Sequence, residues 1–201
     1  MEIYLIRHTT PDIAKGICYG QTDLDVTDSF KEEVAGIIHH LPKNIQAVHS
    51  SPLQRCSKLA EAIFPQHSIQ LHKDLMELDC GNWEMQLWND IPKAEIQPWM
   101  EDFVHVQVPG GESYTQLHER VLDRFHWIAE QKAPAVIIAH GGVLRSIVSH
   151  ITNTPLKESF DAFSFHYGCV VKLVRQENRY VHEVLYNVSL AGKEWHRPTL
   201  S

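Results

Sequence analysis

The sequence predicts an α/β fold, a three-layer α/β/α sandwich with helices on both faces of a mostly parallel, mixed central sheet. Short apolar runs alternate along the chain with segments of helical spacing. This alternation is typical of parallel strands joined by crossover helices. The last two apolar runs are separated only by a short polar connection, which predicts a hairpin and therefore an antiparallel pair in the sheet.

Six predicted strands are rich in aliphatic, β-branched and aromatic residues, and each is short enough for a strand of a globular domain. The first of them opens the chain and runs directly into an arginine and a histidine. The predicted strands are residues 3–6, 45–49, 69–72, 135–139, 168–174 and 180–185.

Four apolar stripes recur every three to four residues between these strands, which is the spacing of one face of a helix. Each stripe can cover one part of a sheet face. The predicted helices are residues 30–41, 53–63, 117–129 and 143–151.

Residues 79–111 fit neither period and contain Trp83, Trp88 and Trp99 together with three prolines. We interpret this stretch as a small cap that passes over one face of the sheet. No repeat or low-complexity linker divides the chain, so a single domain over residues 1–201 is expected.

Composition restricts the kind of protein. The chain has 201 residues, 43% of them hydrophobic, and a net charge of -7 without a Lys/Arg-rich run, so we expect no nucleic-acid partner. No apolar run is long enough for a membrane span, and no signal peptide is apparent, which favours a cytoplasmic protein. The cysteine and histidine spacings match no metal motif, so no metal and no cofactor are expected.

Chemically versatile side chains follow four predicted strands. The carboxyl ends of parallel strands form one crevice in which ligands bind, so we expect these side chains to converge there. They are Arg7 and His8 after the first strand, Arg55 in "SSPLQR", Glu77 in "LMELDCGNWE" and His140 in "HGG".

Two guanidinium groups and two imidazoles repel one another unless an anion joins them, and a tetrahedral phosphate suits both guanidinium forks and a helix start. Gly141 and Gly142 let the backbone approach such a ligand. One imidazole can attack phosphorus while the other donates to an oxygen. A carboxylic acid such as Glu77 can protonate the leaving alkoxide.

The segments "LIRHT", "SSPLQRC", "ELDCGNWE" and "IIAHGG" resemble the histidine phosphatase, or phosphoglycerate mutase-like, superfamily over roughly residues 1–175. The resemblance implies that His8 is the phosphate-accepting nucleophile and that Arg7, Arg55 and His140 complete the phosphate pocket. It implies that Glu77 is the general acid and that no metal is needed.

"RHTTPDIAKGICYGQTDLDV" is similar to the alpha-ribazole phosphatase branch, which acts late in cobalamin nucleotide-loop assembly. Thr9 stands where most relatives have glycine. Where relatives commonly read Trp-Glu-Gly, this chain has Trp83-Glu84-Met85. We expect Thr9 and Gly141 to bind phosphate.

A dimethylbenzimidazole base would need an apolar, aromatic lid, for which Tyr19, Trp83, Trp88 and Trp99 are candidates. Of these we predict substrate contacts from Tyr19 and Trp83, and we predict a further contact from Gln21.

The predicted function is therefore hydrolysis of a small phosphomonoester, with alpha-ribazole 5'-phosphate as the first choice, by a monomer or homodimer. A mutase needs long segments to keep water from the phosphorylated enzyme, and this chain has few residues to spare. A phosphoglycerate mutase-like or broad sugar-phosphate phosphatase remains an alternative. A non-catalytic phosphate-binding module is a further one, although such a module would usually have lost a pocket residue.

Overall fold

The protein is described by a computed structural model that covers residues 1–177 and 179–189. The end of the predicted domain, residues 190–201, and residue 178 in the predicted hairpin turn lie outside the described residues. Six strands form one sheet: β1 (Glu2–Arg7), β2 (Ala47–Ser50), β3 (Ile69–Leu71), β4 (Ala135–Ala139), β5 (Val170–Gln176) and β6 (Arg179–Tyr186).

The strand order across the sheet is β3-β2-β4-β1-β5-β6. Neighbours from β3 to β1 pair in parallel, whereas β5 pairs antiparallel with both β1 and β6. The prediction of a mostly parallel, mixed sheet with a C-terminal antiparallel pair is confirmed.

The helices are α1 (Phe30–Ile38), α2 (Gln54–Ile63), α3 (Lys93–Glu101), α4 (Tyr114–Glu130), α5 (Gly141–Thr152) and α6 (Ser159–Ala162). Alternate side chains of β1 point to opposite faces of the sheet. Ile3 and Leu5 pack in the core that α4 and α5 cover, while Tyr4 and Ile6 pack in the core that α1 and α2 cover. The three-layer prediction is therefore confirmed.

The stretch 79–111 builds a third, smaller core around buried Trp83 and Trp88. Residues 79–111 show no helical period, yet α3 forms within this stretch. Pro92 caps α3 and Pro98 lies inside it, and both residues obscured the helix because proline removes a backbone donor. The apolar residues of this core pack against the tryptophans of the cap. The cap therefore packs as a unit beside the main sheet.

None of the described helices is long and apolar enough to cross a membrane. All four cysteines are buried thiols.

Candidate active site

Two histidines meet at the carboxyl edge of the sheet because β1 and β4 are parallel neighbours, with Arg7 opposite Ala139. His8 and His140 are the first residues beyond these strands, and their ring centroids lie 5.1 Å apart. The His8 amide donates to the Ala139 carbonyl oxygen at 2.9 Å, which fixes the two strand ends together. Both imidazoles are buried.

The tautomer of His8 follows from its own neighbour in the chain. His8 Nδ1 lies 2.7 Å from the Thr9 carbonyl oxygen. A carbonyl oxygen only accepts hydrogen bonds, so Nδ1 carries the proton. In a neutral ring Nε2 then holds a lone pair, which is the state that a nucleophilic imidazole requires.

His140 is held neutral. Burial lowers its pKa well below the usual value, and the positive charge of Arg55 lowers it further. Its Nε2 lies 2.8 Å from the hydroxyl of Ser51, a buried residue just beyond β2. A neutral imidazole still offers one N–H donor to an anion without adding another positive charge to the site.

The two arginines are fixed by backbone carbonyl oxygens. Arg7 donates through Nη1 to the carbonyl oxygen of Phe165 and lies 4.0 Å above the Tyr167 ring. Arg55 is fully buried and donates to the carbonyl oxygens of Thr22 and Gly20 at 2.8 and 2.6 Å. Guanidinium groups held in this way are oriented before any anion binds.

Thr9 and Gly141 flank the histidines. The Thr9 hydroxyl is buried, and no described residue offers it a hydrogen bond. Gly141 begins α5, and a methyl group there would lie 3.3 Å from Arg7 Nε. Gly142 is still more restricted, because a methyl group on it would come within 2.2 Å of a Glu77 carboxylate oxygen.

Glu77 sits at the start of α5. Its carboxylate accepts from the amides of Gly142 and Leu78, both at 3.0 Å. A helix start favours a carboxylate because its free amides carry partial positive charge. The Glu77 carbonyl oxygen accepts from Gln21 at 3.1 Å and from Arg120 at 3.0 Å, which anchors the backbone behind the carboxylate.

A cleft of about 660 Å³ opens from these groups. Arg7, His8, Glu77 and Gly142 line its floor, and the remaining lining is largely aromatic. The aromatic lining residues are Tyr19, Trp88, Trp99, Phe103, Tyr114, Phe160, Phe163 and Phe165.

Two predicted substrate contacts lie elsewhere. Trp83 is only 1% exposed, donates to the Glu95 carboxylate, and packs inside the cap core instead of lining the cleft. That prediction is corrected: Trp88 and Trp99 are the cap tryptophans that reach the cleft. Gln21 does not line the cleft either, since its side chain supports Glu77 from behind. Tyr19 does line it.

Sequence reasoning missed Glu84, whose carboxylate organises the loop below Arg55. It accepts from the amides of Gly20, Gln21, Thr22 and Cys80. The only signal was its position beside Trp83 in "ELDCGNWE". Arg55 donates to carbonyl oxygens of the same loop. Glu84 therefore holds the amide groups of the loop, and Arg55 holds its carbonyl groups.

Tyr167 was also missed, since nothing in its local pattern distinguishes it. Its hydroxyl lies 2.8 Å from that of Tyr19, and its ring lies below Arg7. It joins the segment before β5 to the loop that follows β1. In the described part of the chain, no group of three or more His, Cys, Asp or Glu side chains is placed to hold a metal ion.

A comparison with known protein families identifies the family that has this arrangement of residues. The model of the histidine phosphatase superfamily (branch 1) matches residues 3–188, which include all five clustered polar residues.

The chain belongs to the histidine phosphatase superfamily.

Two relatives in this superfamily show how varied the similar enzymes are. A metal-independent phosphoserine phosphatase of Arabidopsis thaliana is 30% identical over 75% of this chain and 68% of its own. An adenosylcobalamin/alpha-ribazole phosphatase of Escherichia coli K12 is 24% identical over 84% of this chain and 87% of its own.

Among solved histidine phosphatase folds, the alpha-ribazole phosphatase from Shigella flexneri superposes with a TM-score of 0.83 at 22% identity. The alignment covers 92% of this chain and 96% of that one. The TM-score shows that the two proteins share one fold. At this identity the likeness concerns the fold alone.

Proposed function

We propose that this histidine phosphatase hydrolyses phosphomonoesters through a phosphohistidine on His8, without a metal ion. The observation that carries the proposal is the hydrogen bond between His8 Nδ1 and the Thr9 carbonyl oxygen. It directs the lone pair of Nε2 away from the backbone, in a cleft that Arg7 also lines and with the His140 ring centroid 5.1 Å from that of His8.

In the first step the phosphate dianion binds to the arginines and His140, and His8 Nε2 attacks phosphorus. The N–P bond forms as the ester P–O bond breaks. Glu77, in its protonated form, gives its proton to the leaving alkoxide, which departs as the alcohol. The proton stays on His8 Nδ1 throughout, and its hydrogen bond to the Thr9 carbonyl oxygen stabilises the positive charge that develops on the ring.

In the second step water attacks the phosphohistidine from the side that the alcohol has left. The Glu77 carboxylate accepts the water proton, the P–N bond breaks, and inorganic phosphate and neutral His8 are regenerated. Glu77 is suited to both steps because Gly142 and Leu78 hold its carboxylate at the cleft floor.

Trapping the intermediate tests this mechanism. Rapid acid-free denaturation during turnover is expected to capture a base-stable, acid-labile phosphate on His8, because a phosphoramidate has that stability. His8→Ala is expected to abolish both turnover and labelling, and EDTA to leave turnover unchanged. His105→Ala, at an exposed histidine paired with Asp102, is the control and is expected to retain activity.

Phosphate found on serine, or metal-restored activity after EDTA treatment, would contradict the mechanism.

For the substrate we propose alpha-ribazole 5'-phosphate, in a cytoplasmic setting consistent with four reduced cysteines. The aromatic cleft supports this choice, because a dimethylbenzimidazole base presents a large apolar face. The ring centroids of Trp88 and Trp99 lie 6.0 Å apart, and the rings stack with an interplanar angle of 22°. This arrangement leaves parallel indole surfaces beside the cleft. Similarity to alpha-ribazole phosphatases in sequence and fold supports it as well.

The substrate proposal is tested by comparing kcat/KM for alpha-ribazole 5'-phosphate and ribose 5-phosphate, which present the same phosphate. Aromatic contact is worth about 0.5–1.5 kcal/mol beyond burial, and together with burial of the apolar face of the base it gives an expected preference of about 10- to 100-fold for the ribazole. Trp99→Ala is expected to reduce that preference, whereas Trp127→Ala, at an exposed tryptophan outside the cleft, is not.

Equal values for the two compounds would defeat the cobalamin proposal and leave the hydrolytic mechanism intact. A strong preference for O-phospho-L-serine or a phosphoglycerate would replace the substrate.

A further inference from the structure

A third arginine lies in the cleft beside the phosphate pocket. Arg145 is four residues after Gly141 on α5, so both residues face the same side of the helix. A methyl group on Gly141 would lie 3.3 Å from Arg145 Nη2 and 3.3 Å from Arg7 Nε. The two guanidinium groups therefore flank the same point at the start of α5.

Arg145 is oriented by aromatic neighbours. Its Cζ lies 4.1 Å from the centre of the Phe160 ring, at the start of α6. Tyr114 lines the same cleft, and its hydroxyl donates to the Gly142 carbonyl oxygen at 3.2 Å. A guanidinium stacked on an aromatic ring in this way keeps a defined direction along the cleft wall.

Arg145 lies on the same side of the cleft as Glu77. Gly142 connects the two, because its amide donates to the Glu77 carboxylate while its carbonyl oxygen accepts from Tyr114 beside Arg145. In the proposed mechanism Glu77 protonates the ester oxygen. The atoms next to that oxygen in the alcohol part of the substrate must therefore pass close to Arg145.

The geometry points to Arg145 as a specificity-determining residue that binds ribose-type hydroxyl and ring oxygens of the alcohol part of the substrate. The inference rests on the proposed phosphatase activity. It assigns the two parts of the cleft different tasks: Arg145 takes oxygens close to the ester, and the tryptophans take an apolar base further along. A guanidinium group offers several N–H donors to neighbouring oxygens of the substrate. The phosphate pocket alone cannot distinguish substrates, because all of them present the same phosphate group.

Two probes separate these tasks. The alcohol part of ribose 5-phosphate has hydroxyl and ring oxygens and no aromatic ring. The alcohol part of benzyl phosphate has an aromatic ring and no oxygen other than the ester oxygen. Arg145→Met keeps the length and packing of the side chain. We expect it to lower kcat/KM for ribose 5-phosphate about 10- to 100-fold, mainly through KM, since hydrogen bonds to charged groups have that value. Benzyl phosphate is expected to change by less than about threefold.

Lys31→Met is the matched control. Lys31 is exposed to solvent on α1 and does not line the cleft, so removing its charge is expected to affect both probes by less than about threefold. Calorimetry in a His8→Ala background repeats the comparison as binding, where no turnover is needed. There Arg145→Met is expected to weaken binding of ribose 5-phosphate and to spare that of benzyl phosphate.

Equal losses for both probes would overturn the inference, because Arg145 would then belong to the phosphate pocket or to the framework of the cleft. So would a loss confined to O-phospho-L-serine, which would assign the arginine to a carboxylate, or equal effects of the two variants. Failure of the proposed function is a separate result: the native protein would then not turn over any of these esters, while the calorimetric comparison would still decide the role of Arg145.

Discussion

Single neighbours set the protonation states of the pocket histidines. The Thr9 carbonyl oxygen places the His8 proton on Nδ1, and burial beside Arg55 keeps His140 neutral. Both effects come from residues adjacent in the chain or brought in by α2. His140 therefore adds no positive charge to the two guanidinium groups, which limits the repulsion that the pocket must bear before an anion binds.

Glu77→Gln tests the acid at the level of one residue. Glutamine keeps the shape and can still accept from Gly142, but it cannot protonate the leaving oxygen. General acid catalysis contributes about 10²–10⁴-fold, so a loss of that size is expected for a ribose 5'-ester. For 4-nitrophenyl phosphate, whose leaving group needs little protonation, a much smaller loss is expected. Steady-state kcat on both substrates provides the measurement.

Equal losses on the two substrates would mean that Glu77 has a structural role. Glu84→Gln is a useful comparison, since Glu84 organises the loop of residues 20–22 and does not line the cleft.

One turn of the cap carries backbone strain. Met85 has a φ of 66° and is 50% exposed. A positive φ is costly for a residue with a side chain, by about 1–2 kcal/mol. This turn therefore has a backbone conformation that suits glycine, but it holds a methionine.

Met85→Gly is accordingly expected to stabilise the protein by up to about 1 kcal/mol, after the greater entropy of glycine in the unfolded chain is subtracted. Urea denaturation measures the change as a higher midpoint at an unchanged slope. Gln86→Gly, one residue further and without a positive φ, is the control and is expected to destabilise. A destabilised Met85→Gly variant would show that the methionine side chain stabilises the cap more than its backbone strain costs.

Acid stability is a property of the whole molecule, and His49 contributes to it from outside the active site. It is buried on β2, with Nδ1 3.0 Å from His72 Nε2. Burial, together with the neighbouring His72 and Arg124, lowers its pKa to about 4. In the unfolded chain His49 binds a proton near pH 6.5, so between pH 6.5 and about 4 the unfolded state binds more protons than the folded state.

The free energy of unfolding is therefore expected to fall as the pH drops through that window, with a contribution from His49 of up to about 3 kcal/mol. In His49→Gln, which has no group to titrate, denaturant unfolding at a series of pH values is expected to show a shallower decline. His105→Gln, at an exposed histidine, should leave the decline as it is in the native protein. An unchanged slope in His49→Gln would rule out this contribution.

The sequence by itself determined the layers, the mixed sheet and the meeting of the strand-end side chains at one edge of the sheet. Alternating periods specify strands and helices locally, and the carboxyl ends of parallel strands must share one edge, so Arg7, His8 and His140 converge by topology. Tertiary structure alone decided the rest. In the irregular cap no period fixes side-chain direction, and packing turned Trp83 into the core and Trp88 toward the cleft.

The same reason applies to Glu84, Ser51 and Arg145. Each acts through a partner distant in the chain or through the turn of a helix, and such contacts exist only after the elements have packed.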